Sequence, residues 1–124
     1  MADTPMVLTD GAAKVVAFLA AHASYYQPAS RAELAAHFGV PDRTIRRWIA
    51  QARRARQPVV AAPDIGGYYM GNTQDQVRAE YEAHRGRLIA HARAMKGLRL
   101  AVPELPDVGQ QVLTTIGADA EEVA

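Results

Sequence analysis

The chain has 124 residues and a formal net charge of +1. This length is enough for one domain, and we expect it to be too short for two independent hydrophobic cores. It contains no cysteine, which excludes a disulfide framework, a thiolate zinc site and a cysteine nucleophile. Its longest uninterrupted apolar run, 15–21, is much shorter than the roughly 20 residues that span a bilayer. The first ten residues carry two aspartates and no base, unlike a secretory signal, so we expect a cytoplasmic protein with no membrane partner.

Two short helices are predicted near the amino terminus. Asp10 is the expected N-cap of a first helix that continues to His22. Its apolar side chains recur at near-helical spacing, namely Val15, Val16, Phe18 and Leu19. The sequence from Ser30 to Glu33 has the pattern of a capping box, which predicts the start of a second helix after a connector. Gly39 is expected to end that helix in the left-handed conformation.

The third predicted helix has the clearest pattern in the chain. Pro41 and Asp42 favour its first turn, because proline is preset for that position and a carboxylate suits the positive end of the helix dipole. At 100° per residue, one stripe is basic and consists of Arg43, Arg46, Arg47 and Arg54. The opposite stripe is apolar and consists of Ile45, Trp48, Ile49 and Ala52.

A short β-hairpin is predicted next. Residues 59–62 and 68–70 have the character of strands, and the glycine-containing segment 63–67 between them is a turn. Because side chains alternate along a strand, we expect one of Tyr68 and Tyr69 to face inward and the other outward.

The longest predicted helix covers 73–101 and opens with a second capping box at Thr73 to Gln76. Apolar and histidine side chains follow it at spacings of four and three, a coiled-coil-like seam made of Val77, Tyr81, His84, Leu88, His91, Met95 and Leu98. The seam has two interpretations, pairing with a second copy of the chain or packing on the first helix, and we favour the homodimer. Glu80 with the two seam histidines is the only candidate metal site, and we expect histidines that are packed or hydrogen-bonded, with no metal or other cofactor there.

The remaining residues, 102–124, form an acidic tail. The last 22 residues hold five acids and no base, whereas residues 1–102 carry a net charge of +6. A short helix through Val108, Val112 and Ile116 and a disordered segment are both compatible with this composition. The tail is either a solubilising end or a segment that docks on a basic face of its own chain or on a protein partner.

The segment from Arg31 to Ala50 resembles a helix-turn-helix. In that motif an alanine allows the two helices to cross closely, a glycine four residues later makes the turn, and apolar residues flank both. The matching residues are Leu34, Ala35, Phe38, Gly39, Val40, Ile45 and Trp48. With the hairpin, the order of elements resembles the winged helix-turn-helix domain, as found in small phage and prophage proteins. The implied fold is mostly α with a small β-hairpin, with a domain at 1–72, a helix-turn-helix at 31–56 and a wing at 58–71.

This resemblance implies binding to double-stranded DNA, with the recognition helix 42–56 in the major groove. By position, the groove-facing residues are Asp42, Arg43, Arg46, Arg47 and Ala50. Those placed near phosphates are Arg31, Arg53, Arg54 and Arg56, and Thr44 completes the expected DNA-binding set. Because arginine pairs with guanine O6 and N7, we expect sites that contain guanine.

One feature departs from the family pattern. No residue between Gln57 and Val77 is basic, and Asp64 lies near the tip of the expected wing. The sequence therefore leaves two hypotheses. The first is a non-enzymatic, sequence-specific DNA-binding protein, either a transcriptional regulator or an accessory factor in phage or mobile-element replication or recombination. The alternative is a protein-interaction module built on a winged helix, whose last helix and tail bind a partner.

Overall fold

Residues 7–63 and 65–118, which the computed structural model describes, form five helices and one antiparallel hairpin. In chain order the elements are α1 (Asp10–His22), α2 (Arg31–Phe38), α3 (Asp42–Arg54), β1 (Val59–Ala61), β2 (Tyr68–Met70), α4 (Gln74–Ala101) and α5 (Val108–Thr115). The prediction of a mostly helical chain with a small hairpin and a long helix is confirmed at this level. The chain divides into two compact units, Met1–Glu80 and Tyr81–Ala124, with the boundary within α4. Each unit has its own buried apolar cluster, so the expectation of a single hydrophobic core was wrong.

The first helix begins at Asp10, the residue that was predicted to be its N-cap, and therefore one residue earlier than expected. Thr9, not Asp10, is the N-cap, since its hydroxyl accepts from the Ala12 amide at 3.2 Å and its backbone is extended. Asp10 occupies the first turn, where its carboxylate still lies at the positive end of the helix dipole. The prediction of Asp10 as the cap was therefore wrong by one position.

The connection from α2 to α3 follows the local sequence signals. Ser30 Oγ accepts from the Glu33 amide at 3.0 Å, and the Glu33 carboxylate accepts from the Ser30 amide at 3.3 Å, which completes the capping box. Gly39 has φ 66° and ψ 38°, the left-handed conformation that favours glycine. Pro41 is the N-cap of α3, and the helix ends at Arg54, two residues earlier than predicted.

The core of the first unit lies among its three short helices and β1. The largest fully buried side chains are Val15, Leu19, Leu34, Ile45 and Val59. Gly11 is also buried, because a Cβ at that position would collide with the indole of Trp48. The close approach of α1 to α3 therefore depends on a glycine that the sequence pattern did not single out.

The hairpin pairs β1 with β2 in the register Val60 opposite Tyr69. The residue Ala29, in the connector between α1 and α2, extends it through a bridge to Tyr68, with N to O distances of 2.9 and 2.8 Å in the two directions. Gly67 at the tip has φ 92° and lies against the Ala29 carbonyl, so a side chain there would be strained and crowded. The connector thus adds one bridging residue beside β2.

The long helix α4 opens on a variant of the predicted capping box. Thr73 Oγ1 accepts from the Gln76 amide at 3.2 Å, as expected. The Gln76 side chain accepts from Asn72 N at 2.8 Å and not from the Thr73 amide. At about 1.5 Å per residue, the 28 residues of α4 extend about 42 Å.

The second unit packs the later part of α4 against α5. Its buried apolar side chains are Ile89 and Ala92 from α4 with Leu113 and Ala118. Gly109 lies so close to the Ala92 carbonyl that a Cβ would collide with it. For the acidic tail, the sequence was compatible with a short helix or a disordered segment, and the structure shows a helix over Val108–Thr115. Three of the five tail acids lie at 119–124, outside the described residues, so the prediction of a partly disordered tail is not decided.

Candidate nucleic-acid interface

Helix α3 separates its apolar and basic side chains onto two faces. Ile45, Ile49 and Ala52 are buried, with exposed fractions of 0, 2 and 0%. The arginines of the opposite stripe are all exposed, namely Arg43, Arg46, Arg47 and Arg54. The cause is the 3.6-residue period of the helix, which places these two sets half a turn apart. The first unit therefore presents a guanidinium surface from a helix whose other side is fixed by the core.

Two of the expected DNA-binding arginines share one carboxylate. Arg31 Nε lies 3.1 Å from Asp42 Oδ1, and Arg46 Nε lies 2.8 Å from Asp42 Oδ2. Arg31 is the first residue of α2 and Asp42 the first of α3, so this cluster joins the amino-terminal ends of both helices. Its three side chains are 39–62% exposed.

The other cations of the stripe have no such contact. Within the described part of the chain, Arg43, Arg47 and Arg54 have no ion-pair partner. Ala50 between them is exposed, whereas Thr44 is half-buried. The stripe therefore offers three unneutralised guanidinium groups to an incoming polyanion.

Arg53 is placed differently from the expectation that it contacts phosphate. Its Nε donates to the Val59 carbonyl at 3.0 Å, and its Nη2 lies 3.0 Å from Glu80 Oε2. The guanidinium carbon lies 5.9 Å from the ring centroid of Tyr68. With its side chain only 25% exposed, Arg53 holds the end of α3 to the hairpin and to α4. At 100° per residue it also lies off the exposed stripe.

Arg56 follows α3 in a conformation unusual for its residue type. It has φ 67°, the only positive φ of a non-glycine residue among those described. The Gln57 amide donates to the Ala52 carbonyl at 3.0 Å, which closes the end of the helix in the way a glycine usually allows. Arg56 itself is exposed.

A cleft separates the hairpin tip from the amino-terminal ends of α2 and α3. It has a volume of about 490 Å³, and its walls include Arg31, Asp42, Gly66 and Gly67. Asp64 lies outside the described residues. The hairpin adds no cation to this cleft, since 58–76 contains no lysine or arginine.

The two hairpin tyrosines differ in burial. Tyr69 is 4% exposed and packs with Val60 and Ala62. Burial raises the pKa of the Tyr69 hydroxyl above its usual value of 10.0, and the nearby Tyr25 and Glu80 raise it further. Tyr68 is half-buried and packs against the core of the first unit. The most exposed tyrosine in the described chain is Tyr26, at 84%, in the connector after α1.

The predicted seam of α4 is exposed along its length. Val77 in the first unit is 40% exposed, and the second unit exposes Tyr81, Leu88, Met95 and Leu98 by 66, 45, 45 and 64%. His84 and His91 are exposed on the same side of the helix. A groove of about 400 Å³ lies along the seam and is lined by Tyr81, His84, Arg85, Leu88 and Ile116. Helix α5 packs on the neighbouring side of α4, through Ile89 and Ala92.

The described residues contain no group of three or more histidine or acidic side chains arranged to hold a metal ion. None of the helices in the described ranges combines the length and apolarity that a membrane crossing needs. The chain matches no protein-family model, no curated protein and no solved structure.

Proposed function

We propose that this protein is a non-enzymatic, sequence-specific DNA-binding protein of the winged helix-turn-helix type. The observation that carries the proposal is the guanidinium surface of α3, which lies opposite side chains buried in the core. In this arrangement α3 enters the major groove with its first turns against the base edges. Arg43 and Arg47 contact bases or phosphates, and Arg54 contacts a phosphate.

The arrangement around α3 supports the same function. The left-handed Gly39 makes a tight turn between α2 and α3, and the hairpin follows α3 directly. The bridge from Ala29 to Tyr68 ties the connector before α2 to the hairpin, so the helix pair is held against a small sheet. A rigid support of this kind fixes the direction of a reading helix.

Pairing of two copies through the α4 seam supplies the symmetry that half-site recognition uses. The seam offers large apolar side chains at spacings of four and three, next to a groove that can receive them. The protein then acts in a bacterial or phage-infected cytoplasm as a transcriptional regulator or as a replication or recombination factor. The absence of lysine and arginine from the hairpin favours a second candidate function, a protein-interaction module that uses α4 and the tail.

Selection of bound sequences from a random duplex library at about 50 mM salt tests the proposal. We expect a site rich in guanine, with an affinity that falls with salt at a slope of about −0.9 per phosphate contact, over about four to six contacts. Absence of any selected sequence contradicts DNA recognition and favours the interaction module.

A matched pair of variants locates the reading surface. Arg43→Ala with Arg47→Ala removes two charges from α3 and is expected to weaken specific binding at least about tenfold. Arg78→Ala with Arg87→Ala removes two exposed charges from α4 and serves as the control. Equal losses in both double variants would mean that the chain binds DNA only through its overall charge.

A further inference from the structure

The carboxylate of Asp42 contacts both of its arginines through their Nε atoms. One oxygen pairs with Arg31 at 3.1 Å and the other with Arg46 at 2.8 Å. A guanidinium held at Nε keeps its two terminal nitrogens for another partner. Within the described chain Arg46 has no partner residue other than Asp42, and its side chain is 62% exposed. Asp42 therefore orients the Arg46 guanidinium at Nε, while the side chain stays exposed to a ligand.

An acidic side chain at this place works against simple affinity for DNA. Asp42 lies on the face that is proposed to approach phosphates, where a negative charge is repelled. The helix dipole favours an acid in the first turn, but it would favour one equally on the side of α3 away from the arginines. Arg43 and Arg47, on the same stripe, have no carboxylate partner in the described residues. Of the three arginines, only Arg46 has its guanidinium held by a carboxylate in the described chain.

We propose that Asp42 is a positioning residue that fixes Arg46 to read one guanine in the major groove. The ligand is a duplex with guanine facing the first turn of α3. Two parallel donors on the terminal nitrogens of Arg46 match O6 and N7 of that base, which no other base presents as a pair of acceptors. Because Asp42 orders the side chain before binding, less conformational freedom is lost when the contact forms.

The second contact of Asp42 extends this role to the neighbouring helix. Arg31 begins α2 and forms a wall of the cleft beside the hairpin tip. In the proposed complex Arg31 contacts a phosphate of the same strand, so one carboxylate sets the spacing between a base contact and a phosphate contact. Phosphate contacts fix register and base contacts fix sequence, and Asp42 couples the two.

The variant Asp42→Asn distinguishes a positioning role of Asp42 from a simple effect of its charge, because the two predict different base preferences. Loss of a surface charge alone raises affinity for every duplex equally and leaves base preference unchanged. Loss of positioning raises nonspecific affinity but lowers the preference for guanine at one base pair by about tenfold, while preferences at other positions persist. The inference rests on the proposed DNA-binding function. The change in base preference distinguishes loss of positioning from loss of a surface charge.

The experiment compares wild type, Asp42→Asn and Arg46→Lys on the site selected by the full chain and on its single-base-pair variants. Arg46→Lys keeps the charge but loses the paired donors, so we expect it to lose preference at the same base pair as Asp42→Asn. Asp75→Asn removes an acid from the first turn of α4 and is the control, with all preferences kept. Thermal unfolding monitors folding of each variant.

Two results would overturn the inference while leaving DNA binding intact. One is an Asp42→Asn protein with raised affinity and unchanged base preferences. The other is loss of preference at different base pairs in Asp42→Asn and Arg46→Lys. Failure of wild type to select any sequence would instead remove the proposed function, and the inference with it.

Discussion

Arg53 Nη2 lies 3.0 Å from Glu80 Oε2, and this ion pair joins the end of α3 to the first part of α4. The other oxygen of Glu80 accepts from the Ala61 amide at 2.9 Å, while Arg53 Nε donates to the Val59 carbonyl at 3.0 Å. Two side chains therefore attach two helices to both ends of β1. The side chain of Glu80 is only 12% exposed, so its pairing with Arg53 is little weakened by solvent.

Glu80→Ala is expected to destabilise the first unit by about 1–3 kcal/mol, because Arg53 Nη2 loses its carboxylate and the Ala61 amide loses its acceptor. Chemical denaturation measures this change in the free energy of unfolding. Glu82→Ala, an exposed acid on the same helix, is the control and should change it by less than about 0.5 kcal/mol. Equal effects of the two variants would show that the Arg53 pair contributes nothing.

Gly11→Ala is expected to destabilise the fold by about 1–3 kcal/mol, although alanine is the better helix former. The added methyl group would collide with the Trp48 indole and force α1 away from α3. Gly86→Ala makes the same change in α4 where the Cβ meets open space, and it should stabilise by up to about 1 kcal/mol. Unfolding midpoints that rise for both variants would contradict the close contact.

Arg56→Gly is expected to stabilise the protein by about 1 kcal/mol, since φ 67° is strained for arginine and free for glycine. Arg56→Ala removes the same side chain but keeps the strain, and it should give no such gain. If the side chain also contacts a phosphate, both variants reduce the salt slope of DNA binding by about one contact. A glycine variant no more stable than the alanine variant would contradict the strain.

Leu88→Asp is expected to convert a dimer into a monomer, because it places a charge in the centre of the α4 seam. Ala90→Asp makes a comparable change on an exposed position two residues away, off the seam, and should leave the mass unchanged. Sedimentation equilibrium of the full chain measures both. A wild-type protein that remains monomeric at high concentration would remove the pairing proposal.

Stability is expected to fall above about pH 10 more steeply in wild type than in Tyr69→Phe. The folded protein raises the pKa of Tyr69 above 10.0, so the unfolded chain loses this proton first. The unfolded state binds fewer protons in that range, which lowers the free energy of unfolding as pH rises. Denaturation between pH 8 and about pH 11 tests the difference, and parallel curves for the two proteins would exclude it.

Much of the first unit follows from local sequence. The capping box at Ser30, the left-handed turn at Gly39 and the two faces of α3 each depend on residues within a few positions of one another. Such signals act through backbone hydrogen bonds and helical period, which do not require knowledge of distant contacts. The cap of α1 was misplaced by one residue because two neighbouring residues, Thr9 and Asp10, can both serve there.

The exposed arginines could be identified from the helical period, but their individual contacts could not. The period alone places Arg46 and Arg47 on the same stripe, yet only Arg46 meets a carboxylate. The resemblance places Arg53 near a phosphate by position, whereas its contacts with Val59 and Glu80 cannot be seen along the chain.

Local sequence is sufficient to predict the start of α2, the turn at Gly39 and the basic side of α3. The close contact of Gly11 with Trp48, the bridge from Ala29 to the hairpin and the ion pair of Asp42 with a residue of α2 become visible only in the folded chain. The difference lies in sequence separation. Helical period and capping are set by neighbours in sequence, whereas these contacts join residues eleven or more positions apart, whose meeting depends on how the packed core orients each element.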